Sequence, residues 1–214
     1  MIKSRNSSDM EPNGSKNNVK IVCRFRPLNS AEEKFGKEIT VSFPSNQENI
    51  VSMGKKHFKF DKVFKPDTSQ ESVYDQVAKP ALQHVLCGYN GTIMAYGQTS
   101  SGKTFTMDGV VGDAHLGGIV PRLVGELFDH VTSMNEKSHF QIKVSFFEIY
   151  LEKIRDLIDS SKVNLSIHED VRKVPYVKDA TEKIVSSVEE TFEIIQQGKV
   201  NRHVSATKMN QHSS

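Results

Sequence analysis

The amino-acid sequence predicts an α/β fold, and three observations support this prediction. Short stretches in which apolar and polar residues alternate, the pattern of half-buried strands, recur along the chain. Between them lie stretches with the helical spacing of apolar residues, the clearest of which follows Thr68. A glycine-rich loop joins a short apolar run to a segment that can form a helix. Strands and helices mixed in this way over 214 residues are typical of an α/β domain with a sizeable core.

The glycine-rich loop carries the clearest chemical signal. Its eight residues fit the pattern G-x-x-x-x-G-K-[ST] and are Gly97, Gln98, Thr99, Ser100, Ser101, Gly102, Lys103 and Thr104. The glycines let successive amides point at phosphate oxygens, and the following helix adds its positive N-terminal end. In such a loop Lys103 reaches the β- and γ-phosphates and the Thr104 hydroxyl binds Mg²⁺. The alternative is a Gly/Ser-rich turn that contains a lysine by chance. The preceding run Gly91–Tyr96, predicted to be a buried strand, favours a nucleoside-triphosphate site.

Composition excludes several other classes. The net charge is +2 with both signs spread throughout, so a basic field of the nucleic-acid-binding type is not predicted. Cys23 and Cys87 are interpreted as reduced residues of a cytosolic protein, and no histidine pairs with a cysteine at metal-ligand spacing. No apolar run is long enough to span a membrane, and residues 1–18 lack the core of a signal peptide. The predicted location is therefore the cytoplasm.

The first half of the chain is predicted to begin with a disordered arm at residues 1–18, which are rich in Ser, Asn and Lys. A strand at Val19–Phe25 follows, and short alternating runs predict a small antiparallel lobe at 39–43, 49–53 and 57–60.

Helix signals come next. Thr68-Ser69-Gln70-Glu71 is a capping-box signature with Thr68 as the cap, Pro80 is expected to kink the helix, and Gly88 is expected to end it. A glycine-containing loop at Gly109–Gly118 is expected to interrupt the following helix, which resumes near Val120.

The second half is predicted to contain a strand at Phe140–Phe146, which alternates strictly. Glu148 follows it and imitates a Walker B acid, although a structural or surface carboxylate is the favoured interpretation because Walker B usually supplies Asp. Two strands are expected around the loop His168–Lys173. A second capping box, Ser187–Glu190, predicts a helix that ends near Gly198.

Several stretches resemble one known family. They are Arg24–Asn29, Gly88–Ile93, the octet 97–104, Thr106–Gly109, Phe147–Leu157, His168–Asp170, Val174–Val177 and Asn201–His203. Together they are similar to the kinesin motor domain, most of all that of the conventional kinesin heavy chains, and the resemblance is more specific than the loop alone. It implies a P-loop NTPase fold with a mixed central sheet flanked by helices. Residues 19–214 would be the N-terminal part of that domain.

The resemblance also assigns the nucleotide base a place. It implies that Arg24, Arg26 and Pro27 border an adenine, with Pro27 against its face. Phe105 stands where many conventional members carry His, and either ring can stack on a purine. ATP with Mg²⁺ is the implied cofactor.

The resemblance implies further roles around the phosphates. Residues Asn210–Ser214 are similar to the start of switch I, whose serines contact the γ-phosphate and the Mg²⁺ shell. The implied catalytic residues are Lys103, Ser213 and Ser214, and the implied metal ligands are Thr104 and Ser213.

Activity and partners follow from the same resemblance. It implies a microtubule-stimulated ATPase that moves along microtubules in the cytoplasm and cytoskeleton, with Lys153 and the loop His168–Lys173 facing acidic β-tubulin. The parent protein is expected to dimerise through a coiled coil that is absent here, and neither nucleic acid nor membrane is an expected partner.

One departure limits these implications. The sequence stops at Ser214, before the arginine that follows these serines in the family and before switch II, so the fold is expected to be incomplete in its C-terminal half. On that basis the 214 residues alone are expected to fold poorly and to be inactive. Two alternatives stay open: a non-catalytic nucleotide- or microtubule-binding fragment, and a GTPase or other P-loop NTPase. An Asn-Lys-x-Asp guanine motif does not occur in this sequence.

Overall fold

A computed structural model describes residues 19–34, 40–45, 47–110, 112–134 and 140–212, with the backbone alone for residues 203–212. The chain divides into two compact units, one formed by residues up to Ala81 with Asn90–Ile119 and the other by Leu82–Tyr89 with the residues from Val120 onward. The arm predicted at 1–18 lies outside the described residues. The α/β class is confirmed, because both units combine strands and helices.

The strands of the first unit form two small sheets. They are β1 (Val22–Arg24), β2 (Val41–Ser42), β3 (Ile50–Met53), β4 (Lys56–Lys59) and β5 (Lys62–Phe64). Strands β1 and β5 pair in parallel, and β2, β3 and β4 form an antiparallel sheet, which confirms the predicted lobe. Three apolar side chains of β3 and β5 are buried, namely Val51, Val63 and Phe64.

The first four helices are α1 (Ser30–Lys34), α2 (Gln70–Val73), α3 (Lys79–Leu86) and α4 (Lys103–Met107). Helix α2 is capped by Ser69 and not by Thr68 as predicted: the Ser69 hydroxyl accepts a hydrogen bond from the Ser72 amide at 3.1 Å. Both residue types cap helices well, and the extended backbone of Ser69 (φ −66°, ψ 156°) decides between them.

The expected kink at Pro80 takes the form of a π-helical segment, Tyr74–Ala78, between α2 and α3. Pro80 has no amide hydrogen to donate to the Gln76 carbonyl four residues earlier. The Lys20 ammonium donates to that carbonyl instead, at 2.7 Å. The helical path then continues to Leu86, and Gly88 (φ +93°) ends it as predicted, with its amide bonded to the Val85 carbonyl at 2.9 Å.

The prediction of a buried strand at Gly91–Tyr96 is wrong. No strand in the described parts of the chain pairs with this segment, and the side chains of Met94 and Tyr96 are 82% and 93% exposed. An apolar run becomes a strand only where a neighbour takes its backbone hydrogen bonds. The run therefore leads into the octet without being part of a sheet.

In the described part of the second unit, helix α5 (Ile119–Ser133) is followed along the chain by seven strands and one long helix. Its elements are β6 (Ile142–Val144), β7 (Phe147–Tyr150), β8 (Lys153–Asp156), β9 (Val163–Leu165), β10 (Ile167–Glu169), β11 (Pro175–Val177), β12 (Lys183–Val185) and α6 (Val188–His212). All pairings are antiparallel: β6 with β12, β7 with β8, β8 with β9, and β10 with β11. The strand predicted at 140–146 forms over its central residues. Among the described residues, no helix is apolar and long enough to cross a membrane.

Helix α6 begins at the predicted capping box but does not end where predicted. The Ser187 hydroxyl accepts from the Glu190 amide at 3.1 Å, and the Glu190 carboxylate accepts from the Ser186 amide at 2.8 Å. The helix then passes through Gly198 and continues to His212. A close contact explains why a glycine occupies position 198 of this helix. A Cβ there would lie 2.3 Å from Cδ1 of the Phe146 ring.

We predict that Gly198→Ala destabilises the protein although alanine favours helices. The better helix propensity of alanine contributes about 1 kcal/mol. The added methyl group would have to displace the Phe146 ring, and overpacking costs about 1–3 kcal/mol. We expect a net loss of about 1 kcal/mol in the free energy of unfolding, measured by urea titration.

Gly125→Ala in α5 is the matched control. A Cβ at Gly125 would meet no atom within 4 Å, so this variant should gain about 0.5–1 kcal/mol. Equal effects of the two substitutions would show that the Phe146 contact does not explain why Gly198 stands within the helix.

Asp156, at the end of β8, ties three parts of the second unit together. Its side chain is buried, with 3% exposure; one carboxylate oxygen accepts from the Ile158 and Asp159 amides at 2.8 and 3.0 Å, and the other accepts from the Thr181 amide at 2.5 Å. Burial raises the pKa of this carboxyl group, but the hydrogen bonds outweigh burial and hold the pKa below its ordinary value.

We predict that Asp156→Asn lowers the free energy of unfolding by about 1–3 kcal/mol at neutral pH, because at least one buried amide loses its acceptor. A carboxyl group whose folded-state pKa is depressed stabilises fully above the unfolded pKa of about 4. That stabilisation is lost as the pH falls through the folded pKa, so the two proteins should converge in acid. Urea titrations at several pH values test this, with the exposed Asp129→Asn as control. A difference that stays constant below pH 4 would contradict the role given to the carboxylate.

Candidate functional site

A cavity of about 280 Å³ lies in the first unit, beside the octet 97–104. Its wall includes all four residues that the sequence assigned to the base, namely Arg24, Arg26, Pro27 and Phe105, together with Ser101 and Gly102 of the octet. These residues come from β1, the segment after it, and the start of α4. The fold therefore brings the predicted base and phosphate residues to one place.

The octet has the backbone of a phosphate cradle. Gly97 and Gly102 have φ angles of +156° and +96°, and Ser100 has a φ of +64°. A Cβ on Gly97 would lie only 2.6 Å from the Ser101 hydroxyl oxygen, so a side chain there would displace the Ser101 side chain. The glycines thus keep open the space into which the amides of the loop can point.

Lys103 begins α4 and folds back over the octet. Its ammonium donates to the carbonyls of Gly97 and Gln98, each at 2.8 Å. These bonds hold a positive charge above the loop, where an anionic phosphate chain would meet it. A cation held over a glycine-rich loop before a helix is compatible with polyphosphate binding.

The predicted metal ligand Thr104 is exposed at the same end of α4, whereas Ser213 lies outside the described residues, as does Ser214. In the part of the chain that the structure describes, no three His, Cys, Asp or Glu residues are grouped so that they could hold a metal ion. A hydroxyl group together with phosphate oxygens is a ligand set that suits Mg²⁺, which usually retains several waters. The residues present are compatible with Mg²⁺ brought by the nucleotide.

Arg26 is fixed between α1 and the octet. Its guanidinium pairs with both carboxylate oxygens of Glu32 at 2.7 and 2.6 Å, and its Nε donates to the Ser100 carbonyl at 2.8 Å. Asn29 caps α1 by accepting from the Glu32 amide at 2.9 Å, and Glu32 accepts from the Asn29 amide at 2.9 Å. The hydrogen bond from Arg26, with that of the Asn29 amide, lowers the pKa of Glu32 to about 2. Arg26 therefore braces the loop rather than extending into solvent.

Arg24 lies beside the ring of Phe105. Its guanidinium carbon is 5.5 Å from the ring centroid, within the range of a cation–π contact. Its Nη1 donates to the Gln70 side-chain oxygen at 2.8 Å and to the Thr106 hydroxyl at 3.0 Å. Burial lowers the pKa of Arg24 from its ordinary value.

Sequence reasoning missed Gln70 and Thr106, which also line the cavity. The capping-box pattern places Gln70 in the first turn of a helix and indicates nothing about a site. The spacing of apolar residues cannot reveal that a glutamine is buried. Thr106 belongs to a stretch on which the resemblance rests, and that placement was the one available indication of a role at the site.

The residues expected to face tubulin lie in the second unit. His168 is in β10 and pairs with Tyr176 of β11, and the centroids of the two rings are 6.3 Å apart. Because β10 extends to Glu169, the loop predicted at His168–Lys173 begins later than expected. The turn is organised by Asp170, whose carboxylate accepts from the Arg172 and Val174 amides at 2.8 Å each. These loop residues are exposed.

Lys153 is also exposed and starts β8, directly after a tight turn in which Leu151 and Glu152 have φ angles of +48° and +61°. Glu148, which imitated a Walker B acid, stands opposite Arg155 in the β7–β8 pair. This position suits the structural or surface role that the sequence favoured.

Comparison with known proteins places these features in a family. The kinesin motor domain family matches residues 24–214. The chain is 58% identical to a Drosophila melanogaster kinesin heavy chain over 201 residues, which is 94% of this chain and 21% of that protein. It is 56% identical to a Caenorhabditis elegans kinesin heavy chain over 207 residues, which is 96% of this chain and 25% of that protein. It is 54% identical to human kinesin heavy chain isoform 5C over 196 residues, which is 92% of this chain and 20% of that protein. The chain thus spans about a fifth to a quarter of the length of these curated relatives.

A solved structure agrees with the sequence relatives. The structure of a fast kinesin superposes with a TM-score of 0.84 at 38% identity and covers 90% of this chain and 55% of that one. The cavity, the octet and the matched residues 24–214 lead to one conclusion: this chain belongs to the kinesin motor-domain family.

Proposed function

We propose that this chain is the ATP-binding part of a longer microtubule-based motor, which couples ATP hydrolysis to movement along microtubules. The observation that carries the proposal is the continuity of the phosphate cradle with a cavity walled by Arg24, Pro27 and Phe105. The matched relatives are kinesin heavy chains, and the solved relative was analysed for its ATPase mechanism and its interactions with microtubules.

In this proposal the base enters the cavity between Pro27 and Phe105. Phe105 is 40% exposed, so one part of its ring is free to stack while Arg24 approaches it at 5.5 Å. An aromatic ring and a proline both offer flat apolar surface to a purine, and such contacts are worth about 1 kcal/mol. Arg26 borders the same cavity, with its guanidinium held by Glu32 and by the Ser100 and Pro27 carbonyls.

The phosphates occupy the cradle formed by residues 97–104. Lys103 exchanges its bonds to the Gly97 and Gln98 carbonyls for bonds to phosphate oxygens, and it stabilises the charge that develops during phosphoryl transfer. Mg²⁺, when bound, neutralises charge on the β- and γ-phosphates, and the Thr104 hydroxyl is the proposed protein ligand. Ser213 and Ser214 remain proposed contacts of the γ-phosphate and of the metal shell.

The microtubule side of the function rests on exposed basic residues of the second unit. Lys153, His168, Arg172 and Lys173 are exposed on antiparallel hairpins and turns, where they can approach an acidic partner such as β-tubulin. Localisation to cytoplasmic microtubules and dimerisation through a coiled coil elsewhere in the parent protein complete the proposal.

We predict that Lys103→Ala in the parent protein reduces microtubule-stimulated ATP turnover by at least about 10²-fold, because a group that stabilises transition-state charge is removed. Steady-state ATPase measurements with and without microtubules test this. Lys62→Ala is the control, since Lys62 pairs with the exposed Glu48 at 2.8 Å and lies in β5, outside the cavity wall.

Near wild-type turnover of Lys103→Ala would refute the role proposed for Lys103. ATP binding without stimulated turnover in the wild-type parent would instead support a non-catalytic nucleotide-binding protein, and preference for GTP in competition with labelled ATP would indicate a GTPase.

We predict that Phe105→Ala weakens ATP binding by about 1 kcal/mol, because the base loses its aromatic partner. Phe105→His should leave binding nearly unchanged, because imidazole can also stack. Equilibrium titration with a fluorescent ATP analogue measures both effects. If Phe105→Ala binds as tightly as wild type, the base does not occupy this cavity.

A further inference from the structure

Gln70 is a buried polar residue in the wall of the cavity, with 4% exposure. Its side-chain nitrogen donates to the Phe105 carbonyl at 2.7 Å and to the Leu116 carbonyl at 3.2 Å. Its side-chain oxygen accepts from Arg24 at 2.8 Å. The amide thus joins β1, α4 and the loop before α5, and its two N–H groups are both used within the protein.

The bond to Phe105 holds the backbone of the residue that is proposed to stack on the base. In the last turn of the short helix α4, the amides of Asp108 and Gly109 both donate to the Thr104 carbonyl, at 2.7 and 3.3 Å. The Phe105 carbonyl receives its hydrogen bond from the side, through Gln70. Carbonyls in the last turn of a helix need such a partner, so the position of Phe105 depends on Gln70.

The bond to Arg24 holds the ring of the same residue. Nη1 of the Arg24 guanidinium donates to both the Gln70 side-chain oxygen and the Thr106 hydroxyl, and in this orientation the guanidinium carbon stands 5.5 Å from the Phe105 ring centroid. Gln70 therefore controls both the backbone and the ring of Phe105.

We propose that Gln70 is a positioning residue for base recognition, which acts through Phe105 and Arg24 and does not itself read the base. The inference rests on the proposed binding of ATP at this site. In this inference, recognition of the base depends on Gln70 and recognition of the phosphate chain does not. The bonds that hold Lys103 over the octet go to Gly97 and Gln98 and do not involve Gln70. Loss of the Gln70 amide should weaken recognition of the base and leave recognition of the phosphate chain intact.

The test is Gln70→Met in the full-length protein, a change that keeps the length of the side chain and removes its donors and acceptor. Affinities for ATP and for inorganic tripolyphosphate, each with Mg²⁺, are measured by calorimetry. We expect ATP to bind more weakly by about three- to fivefold, no more than for loss of the Phe105 ring itself, and tripolyphosphate to change by less than about twofold. A residue that merely supports the fold would affect both ligands alike.

Gln76→Met is the matched control. Gln76 lies on the same helical path, and its side chain donates to Ser72 at 3.0 Å, away from the cavity wall. The same chemical change there should leave both affinities unchanged. A second arm combines Gln70→Met with Phe105→Ala: if Gln70 acts through Phe105, the double variant should bind ATP almost as well as Phe105→Ala alone.

The outcomes separate this inference from the proposed function. Unchanged ATP affinity of Gln70→Met, equal losses for both ligands, or additive effects in the double variant would each overturn it. Gln70→Glu keeps an acceptor for Arg24 and loses the donors to Phe105, and it should show a base-dependent loss that is smaller than that of Gln70→Met. If neither variant folds, Gln70 is a structural residue and the inference is wrong. Failure of the wild-type protein to bind ATP would overturn the proposed function itself.

Discussion

The backbone of residues 97–104 must leave room for a phosphate chain, and the neighbouring structure of the first unit depends on this constraint. Gly97 and Gly102 adopt positive φ angles that residues with side chains rarely adopt, and they let the loop curl. The loop also receives support from outside. Arg26 supplies it through the Ser100 carbonyl, and the capping of α1 in turn holds Glu32 in place to pair with Arg26. The first strand, the first helix and the phosphate loop are thus connected by one arginine.

Much of the site could be predicted from sequence because its signals are local. A phosphate loop is a fixed spacing of glycines and a lysine, and the family resemblance placed Arg24, Pro27 and Phe105 in what proved to be one cavity. Gln70 could not be found in the same way, since its role arises from three partners that are distant in sequence. Hydrogen bonds between remote segments have no periodicity, so only the fold reveals them.

Predictions of the fold failed where a local signal has two physical meanings. Glycine after a helical stretch commonly marks the C-terminus of the helix, and Gly88 does so. Gly198 instead lies inside α6, where the Phe146 ring occupies the space that a side chain would need. Likewise an apolar run such as Gly91–Tyr96 indicates a strand only if a neighbour takes its hydrogen bonds. Thr68 and Ser69 are equivalent as caps on paper, and backbone geometry selects Ser69. In each case the tertiary surroundings decide between two interpretations that the local sequence supports equally well.

The open backbone of Gly91–Tyr96 has a consequence for measurement. Amide hydrogens outside any ladder exchange with solvent deuterium quickly, whereas those of a paired strand are protected. The segment leads directly into the phosphate loop, so its exchange rate is a local gauge of whether another strand has come to lie beside it. Mass spectrometry on peptides that contain Met94 and Tyr96 could therefore follow the formation of a sheet around the nucleotide site without any label on the nucleotide.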